Sequence, residues 1–210
     1  MAFTGFTPND FATFTIEGLE QRMIAIRERI QPKFKELGSM LRDEAALLAG
    51  NEMFLHIARH ARRKINAPKD TWLAICNNKR GYKQHPHFQV GLFDDHVFVW
   101  FALIYELPHK KAIAEGYLKQ LNKIKKLIPQ EYIISFDHMQ KAAIVAGHLT
   151  QLQFKHQLER FRDIQKVELL VGRHFLANDP ILKDGEAFSR EVKATVEALF
   201  PLYTMACAVS

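Results

Sequence analysis

The chain has 210 residues, of which 48% are hydrophobic and 25% charged, with a mean hydropathy of −0.17 and a formal net charge of +6. This length suits one substantial core, and the absence of any long low-complexity tract argues against disorder. The longest apolar run, residues 97–107, is interrupted by Glu106 and falls well short of the roughly 20 residues needed to span a bilayer.

The charge is unevenly placed. Residues 59–85 hold eight Lys or Arg against one acid, and residues 110–126 hold six against one, so the rest of the chain is net acidic. Two concentrated basic segments favour anionic partners, although a solvated basic face also fits them. The opening "MAFTGFTPND" lacks a basic leader followed by an apolar stretch, which points to a cytoplasmic protein. Cys76 and Cys207 have no metal-ligand spacing and read as packing thiols.

In chain order, Thr7 and Pro8 start a short helix, threonine as cap and proline at the first helical position. Leu19, Met23, Ile26 and Ile30 form an apolar stripe that predicts a helix over 16–30, broken or restarted at Pro32. Phe34, Leu37, Leu41, Ala45 and Leu48 predict the next helix, ended by Gly50. The period then changes, and residues 53–60, 71–77, 86–93 and 96–106 read as four strands joined by turn-forming residues into a meander. A helix is expected over 110–128, with Ile113, Tyr117, Leu121, Ile124 and Ile128 inward, followed by a strand at 132–136 and a helix at 150–163. A strand at 166–175 and a last helix over 186–200, ended by Pro201, complete the pattern. This order predicts one α+β domain over residues 1–210, a mostly antiparallel sheet built on a four-strand meander with helices packed around it.

The stretch "HARRKINAPKDTWLAICNNKRGYKQHPHFQVGLFDDHVFVWFALIYE", together with "KVELLVGRHFLANDPILKDGEAF" and "LFPLY" in the same order, resembles the YktB-like family of bacterial proteins. The resemblance covers nearly the whole chain and implies an α+β fold. It supplies no activity and no catalytic residues.

Candidate site residues therefore rest on physical reading alone. Alternation in the third strand puts Phe88, Val90 and Leu92 on one face and His87, Gln89 and Gly91 on the other, while Lys166, Glu168, Leu170, Gly172 and His174 share a face of the late strand. One sheet face can thus gather polar groups. Lys79, Arg80 and Tyr82 reaching from the loop, with His87 and Gln89 rising from the strand, form a candidate pocket for a phosphate. Arginine would offer a donor fork, lysine a point charge, and glutamine or histidine directional hydrogen bonds. The competing reading has Tyr82 lidding the sheet while the charges keep a hairpin soluble.

The leading expectation is an anionic-ligand binding module for a phosphorylated small molecule or nucleic acid, built on this loop and the 110–126 helix. The alternative is a small hydrolase or transferase using His87 and a carboxylate such as Glu106, Asp137 or Glu168. His56 and His60 have helical ligand spacing but fall on a strand, about 13 Å apart, so no metal is assigned. The sequence carries no known cofactor motif, and no cofactor is assigned.

Overall fold

The structure, a computed structural model, describes residues 3–209. Helix α1 (Pro8–Ala12) begins as expected, with Thr7 donating to the Asp10 carboxylate from its backbone N–H at 2.6 Å and its hydroxyl at 2.9 Å. Helix α2 (Leu19–Ala25) does not stop near Pro32. It widens into a π-type stretch at Ile26–Ile30 and continues as α3 (Gln31–Ala49). The wider turn accommodates a proline that has no N–H to give, so the chain stays helical. Gly50 ends α3 at φ 65°, a left-handed conformation suited to glycine.

The strands are β1 (Phe54–Ile57), β2 (Thr71–Cys76), β3 (His87–Leu92), β4 (His96–Leu103), β5 (Ile133–Ser135), β6 (Ile144–Val145) and β7 (Leu169–Leu176). They form a seven-stranded sheet in the order β1-β2-β3-β4-β7-β5-β6, with every pairing antiparallel. The predicted meander occupies one side. The two-residue β6 lies outside the sequence expectation, since so short a strand has no readable alternation.

Helices α4 (Lys110–Lys119) and α5 (Leu121–Leu127) replace the single helix expected over 110–128. They meet at Gln120, whose N–H bonds Tyr117 O at 3.1 Å and tightens the last turn of α4. After α6 (Gln151–Asp163), the last helix α7 (Gly185–Cys207) runs through Pro201 instead of ending there. Pro201 and Glu197, the residue four before it, are both exposed, so water can satisfy the carbonyl that proline leaves unbonded.

Leu73, Ile75, Phe88, Val90, Leu92, Val97, Val99, Phe101, Leu169 and Val171 point to one face of the sheet and merge with α3, α4, α6 and α7 into the main core. The expected division of β3 therefore holds, with Phe88, Val90 and Leu92 inward. Among the described residues no helix is long and apolar enough to cross a membrane.

The opposite face carries a smaller aromatic core of Phe93, Phe98, Trp100, Ala102, Ile104 and Leu170, with Trp72 and Ile133 against it. Cross-strand register aligns Trp72, Gly91, Phe98 and His174 in one row, and Ala74, Gln89, Trp100 and Gly172 in the next. Both glycines make room for rings. A Cβ on Gly91 would lie 2.6 Å from Thr71 O and 2.7 Å from Trp72 Cβ, and one on Gly172 would lie 2.5 Å from Trp100 Cα. Loops 58–70, 77–86 and 136–143 cover part of this face, with His60, Tyr82 and His138 against Trp72 and Lys141 over Phe93.

One buried lysine ties the helical layer to this side. Lys110, 8% exposed, donates from Nζ to the carbonyls of Ile164, Gln165 and Val167 at 2.7, 2.8 and 2.5 Å. These carbonyls lie in the turn that leaves α6 and delivers Glu168 to the sheet. Lys110→Met is expected to lower stability by about 2 kcal/mol, because it strands acceptors bonded to a charged donor. Urea denaturation measures the loss.

Candidate functional site

Trp72 is the meeting point of the three covering loops. Its indole N–H donates to the Tyr82 hydroxyl at 2.8 Å, and its ring meets the edges of His60 at 5.5 Å and His138 at 6.2 Å, centroid to centroid. Each partner comes from a different loop. His60 is held at φ 49°, a left-handed conformation uncommon for a residue with a side chain, and its Nε2 lies 3.1 Å from Thr71 Oγ1. Burial, reinforced by the Arg63 charge, lowers the His60 pKa to about 4, so this imidazole is neutral at physiological pH.

Two depressions open around this hub. The inner one, about 410 Å³, is lined by His60, Arg62, Trp72, Tyr82, Tyr105 and His138 among others. The outer one, about 840 Å³, is lined by His56, Lys79, Arg80, Tyr82, His85 and Glu106 among others. Arg59, Tyr82 and Lys83 border both. Lys83 pairs with Glu106 at 2.8 Å. Among the described residues, Arg59, Arg62, Lys79 and Arg80 have no acidic partner, so the rim carries uncompensated positive charge.

The inner wall contains a histidine–carboxylate pair. Glu168, 1% exposed, accepts from His138 Nδ1 at 2.7 and 2.9 Å, from the His138 backbone N–H at 2.7 Å and from the Tyr105 backbone N–H at 3.2 Å. The carboxylate can only accept, so Nδ1 carries the proton and Nε2 is left without a partner among the described residues. Burial alone would lower the His138 pKa, but the Glu168 hydrogen bond and charge, aided by Asp70 and Asp137, outweigh it and raise the pKa. Asp137, His138 and Glu168 also bring ligand-type atoms within 4.8 Å of one another. Glu168, however, already meets three protein donors.

Asp70 lies just ahead of β2, 1% exposed, and among the described residues neither carboxylate oxygen meets a donor from another residue. Burial pushes its carboxyl up to about 6, against opposing pulls from His138 and Arg63. An unsatisfied buried carboxylate coupled electrostatically to the cleft residues His138 and Arg63 is a destabilising feature of the kind that accompanies binding sites.

The chain matches the family described as Domain of unknown function (DUF1054) over residues 6–203. It belongs to the DUF1054 family. A UPF0637 protein of Shouchella clausii is 54% identical over 205 residues, covering 98% of this chain and 96% of the relative. A UPF0637 protein of Oceanobacillus iheyensis is 53% identical over 202 residues, covering 96% of each, and one of Exiguobacterium sibiricum is 48% identical over 200 residues, covering 95% and 97%. The YktB-like resemblance read from the sequence is borne out.

In this DUF1054 chain the sequence-chosen residues fall into two groups. Lys79, Arg80 and Tyr82 line the outer depression together. His87 and Gln89 lie beneath it, fully buried, with the His87 ring 4.9 Å from that of Tyr82. They belong to a hydrogen-bond chain in which Trp100 Nε1 donates to Gln89 Oε1 at 2.9 Å, Gln89 Nε2 donates to His87 Nε2 at 2.9 Å, and His87 Nδ1 donates to His85 O at 2.7 Å. Because the last acceptor is a carbonyl, every donor direction in the chain is fixed. Burial, opposed by the His85 bond, takes the His87 pKa down to about 3. His87 is thus a neutral support under Tyr82 with both ring nitrogens occupied.

The two basic segments also separate. Ile113, Tyr117 and Ile124 set α4 and α5 into the main core, on the face opposite the Trp72 loops. The pairing of His138 with Glu168, and the orphaned Asp70, were not read from the sequence. A glutamate on the polar-face register of the late strand was a partial signal for the pair.

Proposed function

We propose that this protein binds a small phosphorylated ligand in the cleft centred on Trp72 and Tyr82, acting in the cytoplasm. The observation that carries this reading is the set of unpaired cations, Arg59, Arg62, Lys79 and Arg80, around two depressions that share Arg59, Tyr82 and Lys83. Such a rim attracts anions and offers guanidinium forks and an ammonium to phosphate oxygens. Partly exposed Trp72 and exposed Tyr105 add flat apolar walls for the remainder of the ligand.

The Lys79→Ala, Arg80→Ala double variant is expected to weaken binding of inorganic phosphate or pyrophosphate by about tenfold or more. Both side chains are exposed, so its melting temperature should match that of wild type. Calorimetric titration and thermal denaturation provide the two readouts. An arbitrary single strand of RNA that binds with a steep loss on added salt, while phosphate does not bind, would move the reading to nucleic acid.

A second reading, chemistry on the bound ligand, is favoured by the His138–Glu168 pair. This pair puts a carboxylate-supported imidazole on the cleft wall with one nitrogen unengaged. His87, the histidine chosen from the sequence, has no such nitrogen.

A further inference from the structure

The inner depression differs from the outer one in its donors. His138 Nδ1–H is committed to Glu168, which leaves Nε2 as the ring's other site. The Tyr82 hydroxyl accepts from Trp72, and its own proton has no acceptor among the described residues. Arg62 lines the same space without an acidic partner. With the His138 ring protonated, three donor groups from three loops border one concavity, and no carboxylate is among the described residues of its lining. An oxyanion is the chemical species that satisfies such a set.

We propose that His138, held by Glu168, is the proton-bearing contact of this cleft, donating Nε2–H to an oxyanion of the bound ligand beside Tyr82 and Arg62. The inference rests on the anion-binding reading and adds a regulation to it. A protonated ring presents an N–H to the anion. A neutral ring keeps its single proton on Nδ1 for Glu168 and turns a lone pair toward the anion, which repels it. Binding is therefore linked to protonation of one side chain.

The groups facing or electrostatically coupled to this imidazole are Glu168 at the entrance to β7, Asp70 ahead of β2, Asp137 on its own loop, Arg59, His60, Arg62 and Arg63 on the first covering loop, Tyr82 and Lys83 on the second, Tyr105 after β4, and buried His87. His60 and His87, with pKa values of about 4 and about 3, are neutral across the physiological range, and burial keeps Tyr82 protonated with a pKa of about 12. Asp70 ionises near 6. Its charge then supports the His138 proton while repelling an anion, so Asp70→Asn separates the two effects. His56 and His85 border the outer depression, and the His56→Gln, His85→Gln double variant controls for them.

Sulfate is the probe, because its charge is constant across the titration. In wild type and in both control variants, the calorimetric Kd for sulfate is expected to rise with pH by up to about tenfold per unit above the His138 pKa, as required when one proton accompanies each anion. Glu168→Gln is expected to move that rise to lower pH, and His138→Gln in the Asp70→Asn background to remove it and weaken binding by about tenfold at low pH. In isotope-labelled wild type, the His138 ring signals should shift on sulfate addition, a readout that does not depend on the variants folding. Sulfate affinity that is flat with pH, together with unmoved His138 signals, overturns this inference and leaves the anion-binding reading intact. Failure of sulfate, phosphate and pyrophosphate to bind at any pH overturns both.

Discussion

Asp70→Asn is expected to stabilise the fold at pH 8 by about 2 to 3 kcal/mol, a direction opposite to that of most substitutions at buried positions. The carboxyl is buried, meets no donor from another of the described residues, and has a pKa raised from 3.8 to about 6. A folded-state pKa above the unfolded one means the folded form prefers the protonated acid. The advantage is fully present below the unfolded pKa and is lost as pH rises through the folded value. At pH 8 the wild-type protein therefore carries the whole desolvation penalty, which asparagine removes by deleting the charge without changing the shape. Below about pH 4 the wild-type acid is itself neutral, and the two proteins should converge. Urea denaturation at both pH values checks this. An Asp70→Asn protein that is less stable at both would show that the carboxylate has a stabilising partner in solution.

Glu168→Ala should have the opposite sign and the larger size, a loss of about 3 to 5 kcal/mol, because it removes a buried acceptor that satisfies a half-buried imidazole and two backbone N–H groups. Three donors, from His138 Nδ1, the His138 backbone and the Tyr105 backbone, lose their acceptor at once. Glu168→Gln retains one acceptor oxygen and should lose less. The pH dependence identifies the cause. The raised His138 pKa contributes stability that is fully present below the unfolded histidine value of about 6.5 and is lost as pH rises through the folded value. Denaturation midpoints of Glu168→Ala followed across this window should lack that decline. A retained decline would assign it to another group.

The meander could be read from the sequence because its strands alternate and its loops carry the Gly, Asn, Asp and Pro residues that turns require. Where element ends were assigned to proline, the structure differs at Pro32 and Pro201, since a π-type stretch and a solvated carbonyl let the helices continue. Local pattern does not contain those compensations. The cations of the cleft were legible as a charge cluster, and the division of β3 into an apolar and a polar face was legible as period two. The role of His87 was not: its partners His85 O and Gln89 are local in sequence, but its complete burial beneath Tyr82 and the Trp100 bond that orients Gln89 come from the tertiary structure. The same limit applies to Asp70, His138 and Glu168. They come from three separate segments, and neither spacing nor composition brings them together.

The two tryptophans of the chain sit in contrasting surroundings on the same sheet face. Trp100 is sealed in, 1% exposed, with its indole bonded to Gln89, while Trp72 is partly exposed on the cleft wall with Tyr82, His60 and His138 around it. Intrinsic fluorescence is therefore a built-in reporter, a constant signal from one ring and a responsive one from the other. Occupancy of the cleft, or protonation of His138 beside it, can be followed in the unlabelled protein, and Trp72→Phe isolates the constant part.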